Sequence, residues 1–147
     1  MTTLYQEVDQ VLTNYAAAVY EQDVEQFLSA YHDDVHIYDC WGNWEIKGLA
    51  GWRDSVTAWF TQLRDDQHVV KVHFHSVTTE ENDHLAYIYC AVTFTGYEKE
   101  SEKALRHMTN RFTFGLTKKD GSWLITHEHS SLPIDPETGK GMFDSKP

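Results

Sequence analysis

The chain reads as an α+β fold, a curved antiparallel (mixed) sheet wrapped around N-terminal helices. Three observations carry this reading. Apolar spacing is helical in the first third, period-two strands fill the second half, and the breaks between those strands are short, polar and turn-like.

Leu4, Val8, Val11, Leu12, Tyr15 and Val19 form one apolar stripe, and Thr3 with Gln6 offers a capping box at its start. Asp23 caps a second, short helix with Gln26 three residues on, whose buried face is Val24, Phe27, Leu28 and Tyr31. "VHIYDCWGNWEIKG" then predicts two short strands around Gly42 and Asn43. Helical spacing returns from Trp52 to about Leu63, with Trp52, Val56, Trp59, Phe60 and Leu63 on one side. Four strands follow: His68 to Thr79, His84 to Tyr97, Ala104 to Lys118 and Trp123 to Ser131, separated by "EEND", "EKESE" and "KKDGS". Residues 1–133 read as one domain, and 134–147 as a loosely structured tail. Such a sheet leaves an open-ended cone, and five Trp, eight Tyr and seven Phe can wall a pocket there or fill a core.

Composition narrows the function. A net charge of −11 and the lack of a dense basic cluster speak against nucleic acid as a partner. No apolar run approaches the roughly 20 residues that span a bilayer, and "MTTLYQEVDQ" lacks the pattern of a signal peptide, so the expectation is a cytoplasmic protein away from membranes. Cys40 and Cys90 have no CxxC spacing and read as free thiols.

The order of elements and several local strings resemble the nuclear transport factor 2-like (cystatin-like) superfamily, and within it the SnoaL-like and ketosteroid isomerase-like proteins. "LTNYAAAVYEQDVEQFLSAYHDDVHIYDCWG" is similar, without a gap, to the isomerase segment that carries a helix tyrosine and a strand-end carboxylate. The resemblance implies that Tyr15 donates to an enolate oxygen and Asp39 is the general base. Where the isomerases hold a protonated Asp, this chain has "TNRF", so Asn110 or Arg111 takes that place according to a one-residue shift. Arginine would suit a carboxylate or enolate; asparagine would be a neutral donor.

A second resemblance, in "KVHFHSV", "HLAYIYCAVTF", "TNRFTF" and "DGSWLITHEHSS", is to the association domain of calcium/calmodulin-dependent protein kinase II, which assembles rings and keeps an arginine-containing pocket. It implies an inward Arg111. That arginine would pair with Asp39 and favour binding of an anion over proton abstraction.

The expected pocket is bounded by Tyr15, Tyr38, Asp39, Trp44, Trp59 and Arg111, with Asn110 beside them and His129 at the rim. His127 and His129 share a strand face with Trp123, Ile125 and Ser131, which sends Glu128 to the other face and sets it apart from the histidines. His73 and His75 repeat the spacing, but the sheet order that the superfamily resemblance implies puts two strands between the pairs, roughly 14 Å at about 4.8 Å per strand, too far for one metal ion. The histidines therefore read as wall material, at a subunit interface or a pocket rim, and no metal site is expected.

The function expected is binding of a small carbonyl-bearing or anionic molecule, with proton transfer next to the carbonyl and no separate cofactor. The rival is a non-catalytic ligand-binding or oligomerisation domain. A homodimer through the sheet face is expected, with a higher ring as the alternative.

Overall fold

The computed structural model describes residues 4–147. Its elements are α1 (Val8–Glu21), α2 (Val24–Leu28), β1 (Tyr31–Tyr38), β2 (Ile46–Lys47), α3 (Leu49–Asp65), β3 (His68–Glu81), β4 (Leu85–Glu98), β5 (Ala104–Lys119) and β6 (Ser122–Ser131). This is the expected α+β order, and each of the four long strands lies within three residues of its predicted bounds.

The six strands form one mixed sheet in the order β2-β1-β6-β5-β4-β3. Pairing is antiparallel except between β1 and β6, where Ile37 stands opposite Glu128 and Tyr38 opposite His129. The first strand thus joins the last in the middle of the sheet, and the end of β1 lies beside the end of β6.

α1 starts later than the stripe suggested. Glu7 is its N-cap, in a reciprocal capping box with Gln10, while Thr3 lies outside the described residues and Leu4 is exposed. The box therefore uses Glu7 in place of Thr3, because the chain before it is held extended: the Tyr5 N–H donates to Ser122 Oγ and the Trp123 N–H to the Tyr5 carbonyl. α2 is capped as expected, with the Gln26 N–H donating to Asp23 Oδ1 at 3.0 Å.

The helices cover the inner face of the sheet. Val11, Tyr15 and Val19 of α1, Phe27 of α2 and Trp52, Val56 and Phe60 of α3 are buried with Ile37, Val72, Ile88, Val92, Phe112, Phe114 and Ile125 of the strands. Tyr15 is the hub of this core. Its ring lies 4.9 Å from Phe27 and 5.8 to 6.5 Å from Phe74, Phe94, Phe112 and Phe114. Aromatic pairs in these offset and edge-on geometries add to the burial of their apolar area. Of the two uses that the aromatic supply allowed, these rings take the second and fill a core.

The tail is more ordered than its composition implied. A turn bonds the Asp135 N–H to the Lys140 carbonyl, and the chain then returns along the edge of β5, where the Thr109 N–H donates to the Phe143 carbonyl.

Candidate functional site at the end of the first strand

Alternation along β1 sends Tyr31, Val35 and Ile37 into the cone and His36 and Tyr38 outward. Asp39 continues the inward set one residue past the strand, and it is half-buried at the rim. Its Oδ1 accepts from Ser130 Oγ at 3.3 Å, and the same Ser130 hydroxyl accepts from the Cys40 N–H at 3.0 Å. Asn110 Nδ2 donates to Cys40 Sγ at 3.1 Å, which links the loop to β5. Burial raises the Asp39 pKa above the usual carboxylate value, opposed by the Ser130 hydroxyl and by the backbone N–H groups of Trp41 and Cys40.

Beneath this rim lies Glu128, only 3% exposed. The Tyr31 hydroxyl donates to its Oε1. Burial is the main cause that pushes the Glu128 pKa up to about 8; the Tyr31 hydrogen bond pulls it down, and the charge of Asp39 pushes it further up. Glu128 is therefore mostly a neutral carboxylic acid at neutral pH. Tyr15 is fully enclosed, and its hydroxyl pKa is raised well above the ordinary value by burial first, then by the charges of Glu128 and Asp39. Tyr15 thus stands within electrostatic reach of both carboxyls.

Alternation along β6 did not place Glu128 here. A β-bulge intervenes: Leu116 stands opposite Ile125 but its neighbour Gly115 stands opposite His127, so Thr126 is an extra residue. Trp123 and Ile125 point inward before the bulge, and Glu128 and Ser130 after it. His127 and His129 consequently do not share a face with Trp123 and Ile125. Periodicity within β6 carries no signal for this; in the structure the Thr126 hydroxyl donates to the Gly115 carbonyl across the bulge at 3.2 Å.

The remaining predicted residues divide. Asn110 points inward, 2% exposed and opposite Val92, in the alternating set with Phe112 and Phe114. Arg111, its neighbour, is exposed on the outer face opposite Ala91 and Ser131, which corrects the expectation of an inward arginine that pairs with Asp39. Trp44 is 89% exposed in the loop before β2 and lines neither of the two cavities described below. Tyr38 and His129 lie side by side on the outer face, ring centroids 5.3 Å apart, because both fall on the outward parity of their strands. Trp59 is half-buried and packs on Phe60 and Phe94 in the cone.

Two surface cavities, of about 410 and 740 Å³, lie on the outer face of β3 to β5 and beside the C-terminus of α1; neither is lined by Asp39, Tyr15 or Glu128. Among the described residues no three of His, Cys, Asp and Glu come together in a way that would hold a metal ion, and no helix is long and apolar enough to cross a membrane.

Residues 8–135 match the family described as SnoaL-like domain. Solved structures with the same fold include an NTF2-like protein of unknown function from Pseudomonas putida, 24% identical, TM-score 0.83, covering 95% of this chain and 94% of that one. A Xanthomonas campestris structure designated as a calcium/calmodulin dependent protein kinase II association domain is 22% identical at TM-score 0.71, covering 89% and 87%. Aln2 from a Streptomyces species is 16% identical at TM-score 0.72, covering 85% and 87%. At these identities the likeness concerns the fold. No curated protein sequence matches the chain.

Proposed function

Because the chain belongs to the SnoaL-like domain family, we propose that it binds a small carbonyl-bearing molecule at the Asp39 end of the cone and moves a proton at the carbon next to the carbonyl. The observation that carries this reading is the position of Asp39: inward, half-buried at the rim, fixed by Ser130, with the enclosed Tyr15 within electrostatic reach. A carboxylate that has lost part of its solvation is a stronger base, which abstraction of a carbon-bound proton requires.

The roles follow from the chemistry of the groups. Asp39 takes the proton and returns it at a second position. Negative charge develops on the carbonyl oxygen, and the Tyr15 hydroxyl is the donor assigned to it, since its raised pKa keeps its proton in place. Asn110 supplies a neutral amide donor that now rests on Cys40. With Arg111 on the outer face, recognition rests on neutral donors, and the anionic ligand that an inward arginine would have favoured loses its support. We assign entry to the exposed loop at residues 41–44, and the aromatic rings that occupy the interior must move to admit a guest.

The test is a thermal-shift screen of small keto acids, carboxylates and steroid-like enones, followed by turnover assays on the hits. A stabilising ligand whose effect is lost in Asp39→Asn and Tyr15→Phe and kept in Arg111→Ala is expected. Turnover that survives in a folded Asp39→Asn variant excludes the base assignment.

A second reading, assembly through the outer face of the sheet, is favoured by Tyr87 and Tyr89, which stack on each other at 48% and 50% exposure on the outer face of β4. Exposed aromatic pairs of this kind suit an interface. Our proposal is a homodimer in the cytoplasm, and sedimentation velocity distinguishes it from a monomer or a larger ring.

A further inference from the structure

Away from the cone, the outer face of β3, β4 and β5 carries a second cluster. His73 and His75 point outward from β3, and Thr93 of β4 stands between His73 and Thr109 of β5 in one cross-strand row. His107 precedes Thr109 on the same outward parity. His75 Nε2 lies 3.0 Å from Thr93 Oγ1, which lies 2.8 Å from Thr109 Oγ1. The tail completes the arrangement: pinned by the Thr109 N–H to Phe143 carbonyl bond and by the stack of Phe143 on Trp41, it carries residues 144–147 along this face. Between tail and sheet is the cavity of about 410 Å³.

We infer that this cavity is a binding site for a small oxyanion of the phosphate or carboxylate class. The walls are rich in donors. Three of the chain's nine histidines, the hydroxyls of Thr93 and Thr109 and the ammonium of Lys146 line it, whereas the twenty-three acidic residues contribute Asp144 alone. In a chain of net charge −11 this local reversal of character stands out. The hydroxyl row has a direction. When His75 Nε2 carries a proton it donates to Thr93; Thr93 then donates to Thr109, and the Thr109 proton is left free for a guest. An imidazolium always carries that proton, so charging His75 aligns the row toward an anion. A metal is the poorer occupant, because among the described residues no three potential ligands converge to hold one. The charged and titratable groups that face the cavity are His73, His75 and His107 from β3 and β5 and Asp144, Lys146 and the Pro147 α-carboxylate from the tail; the first three and Lys146 favour an anion, and Asp144 and the Pro147 carboxylate oppose it.

The experiment follows the imidazole resonances of the full chain by NMR during separate titrations with inorganic phosphate and with acetate. It is run at about pH 6 and about pH 8, with ionic strength held by chloride. Saturable shifts of His73, His75 and His107 are expected, with His32 and His84, which lie outside the cavity, left in place. Binding should be tighter at the lower pH. Saturation by phosphate alone assigns the phosphate class, and saturation by acetate assigns the carboxylate class. His107→Ala and Lys146→Ala, both at exposed positions where substitution rarely costs more than about 0.5 kcal/mol of stability, should each weaken binding at least about threefold. Shifts that fail to saturate, that reach His32 and His84 equally, or that are unchanged in both variants overturn the assignment.

Discussion

Replacing Glu128 with glutamine isolates the buried carboxyl. Glutamine keeps the shape and still accepts the Tyr31 hydrogen bond, but it cannot ionise. In the folded protein the Glu128 pKa stands at about 8 against an ordinary 4.5, with burial as the first cause. The folded pKa lies above the unfolded one, so the unfolded chain releases this proton first. The stability linked to Glu128 is fully present below about pH 4.5, falls as pH rises, and is lost by about pH 8. At 1.36 kcal/mol per pH unit, the interval from 4.5 to about 8 corresponds to about 5 kcal/mol. The assay is urea unfolding of wild type and Glu128→Gln across about pH 5 to 9, followed by the fluorescence of the buried Trp52 and Trp123. Groups remote from Glu128 titrate alike in both proteins and cancel in the difference. Near pH 5 the two should agree within about 1 kcal/mol, and near pH 9 the variant should be the more stable by several kcal/mol. A difference that stays constant over that range would refute the claim that the folded state holds Glu128 protonated.

Three further outcomes are expected. Tyr31→Phe removes the partner of Glu128 and should destabilise the protein by about 1–3 kcal/mol; since that hydrogen bond lowers the Glu128 pKa, the pH-dependent loss should also extend to higher pH. If Asp39 is the base, kcat/KM should rise with pH along a limb set above the ordinary carboxylate value of 3.8, and the limb should vanish in Asp39→Asn. Alkylation followed by mass spectrometry should modify the half-buried Cys40 well before the buried Cys90, whose thiol burial pushes up to about 11.

The fold was legible because its signals are local. The stripe from Val8 to Val19, the Asp23 cap and the polar breaks between the long strands each depend on residues close in sequence, and the structure keeps them with shifts of a few residues. The site was legible where alternation is regular. Ile37, Tyr38 and Asp39 follow strict parity from β1, and Met108, Asn110, Phe112 and Phe114 do so along β5, which puts Asn110 on the apolar side and Arg111 on the other. The inward arginine came from resemblance, against that alternation. Glu128 was hidden for a different reason: the Thr126 bulge depends on how β6 meets β5, a contact that periodicity within β6 cannot register.

That single extra residue makes β6 two half-strands of opposite phase. Upstream, the odd positions Trp123 and Ile125 feed the core; downstream, the even positions Glu128 and Ser130 do. Deleting Thr126 would merge the halves into one regular ribbon and leave every side chain on its present side. Keeping Thr126 while flattening the kink would turn His127 and His129 inward and expel Glu128. The chemical character of the cone floor, carboxylic acid or imidazole, is thus encoded in backbone phase as much as in residue identity.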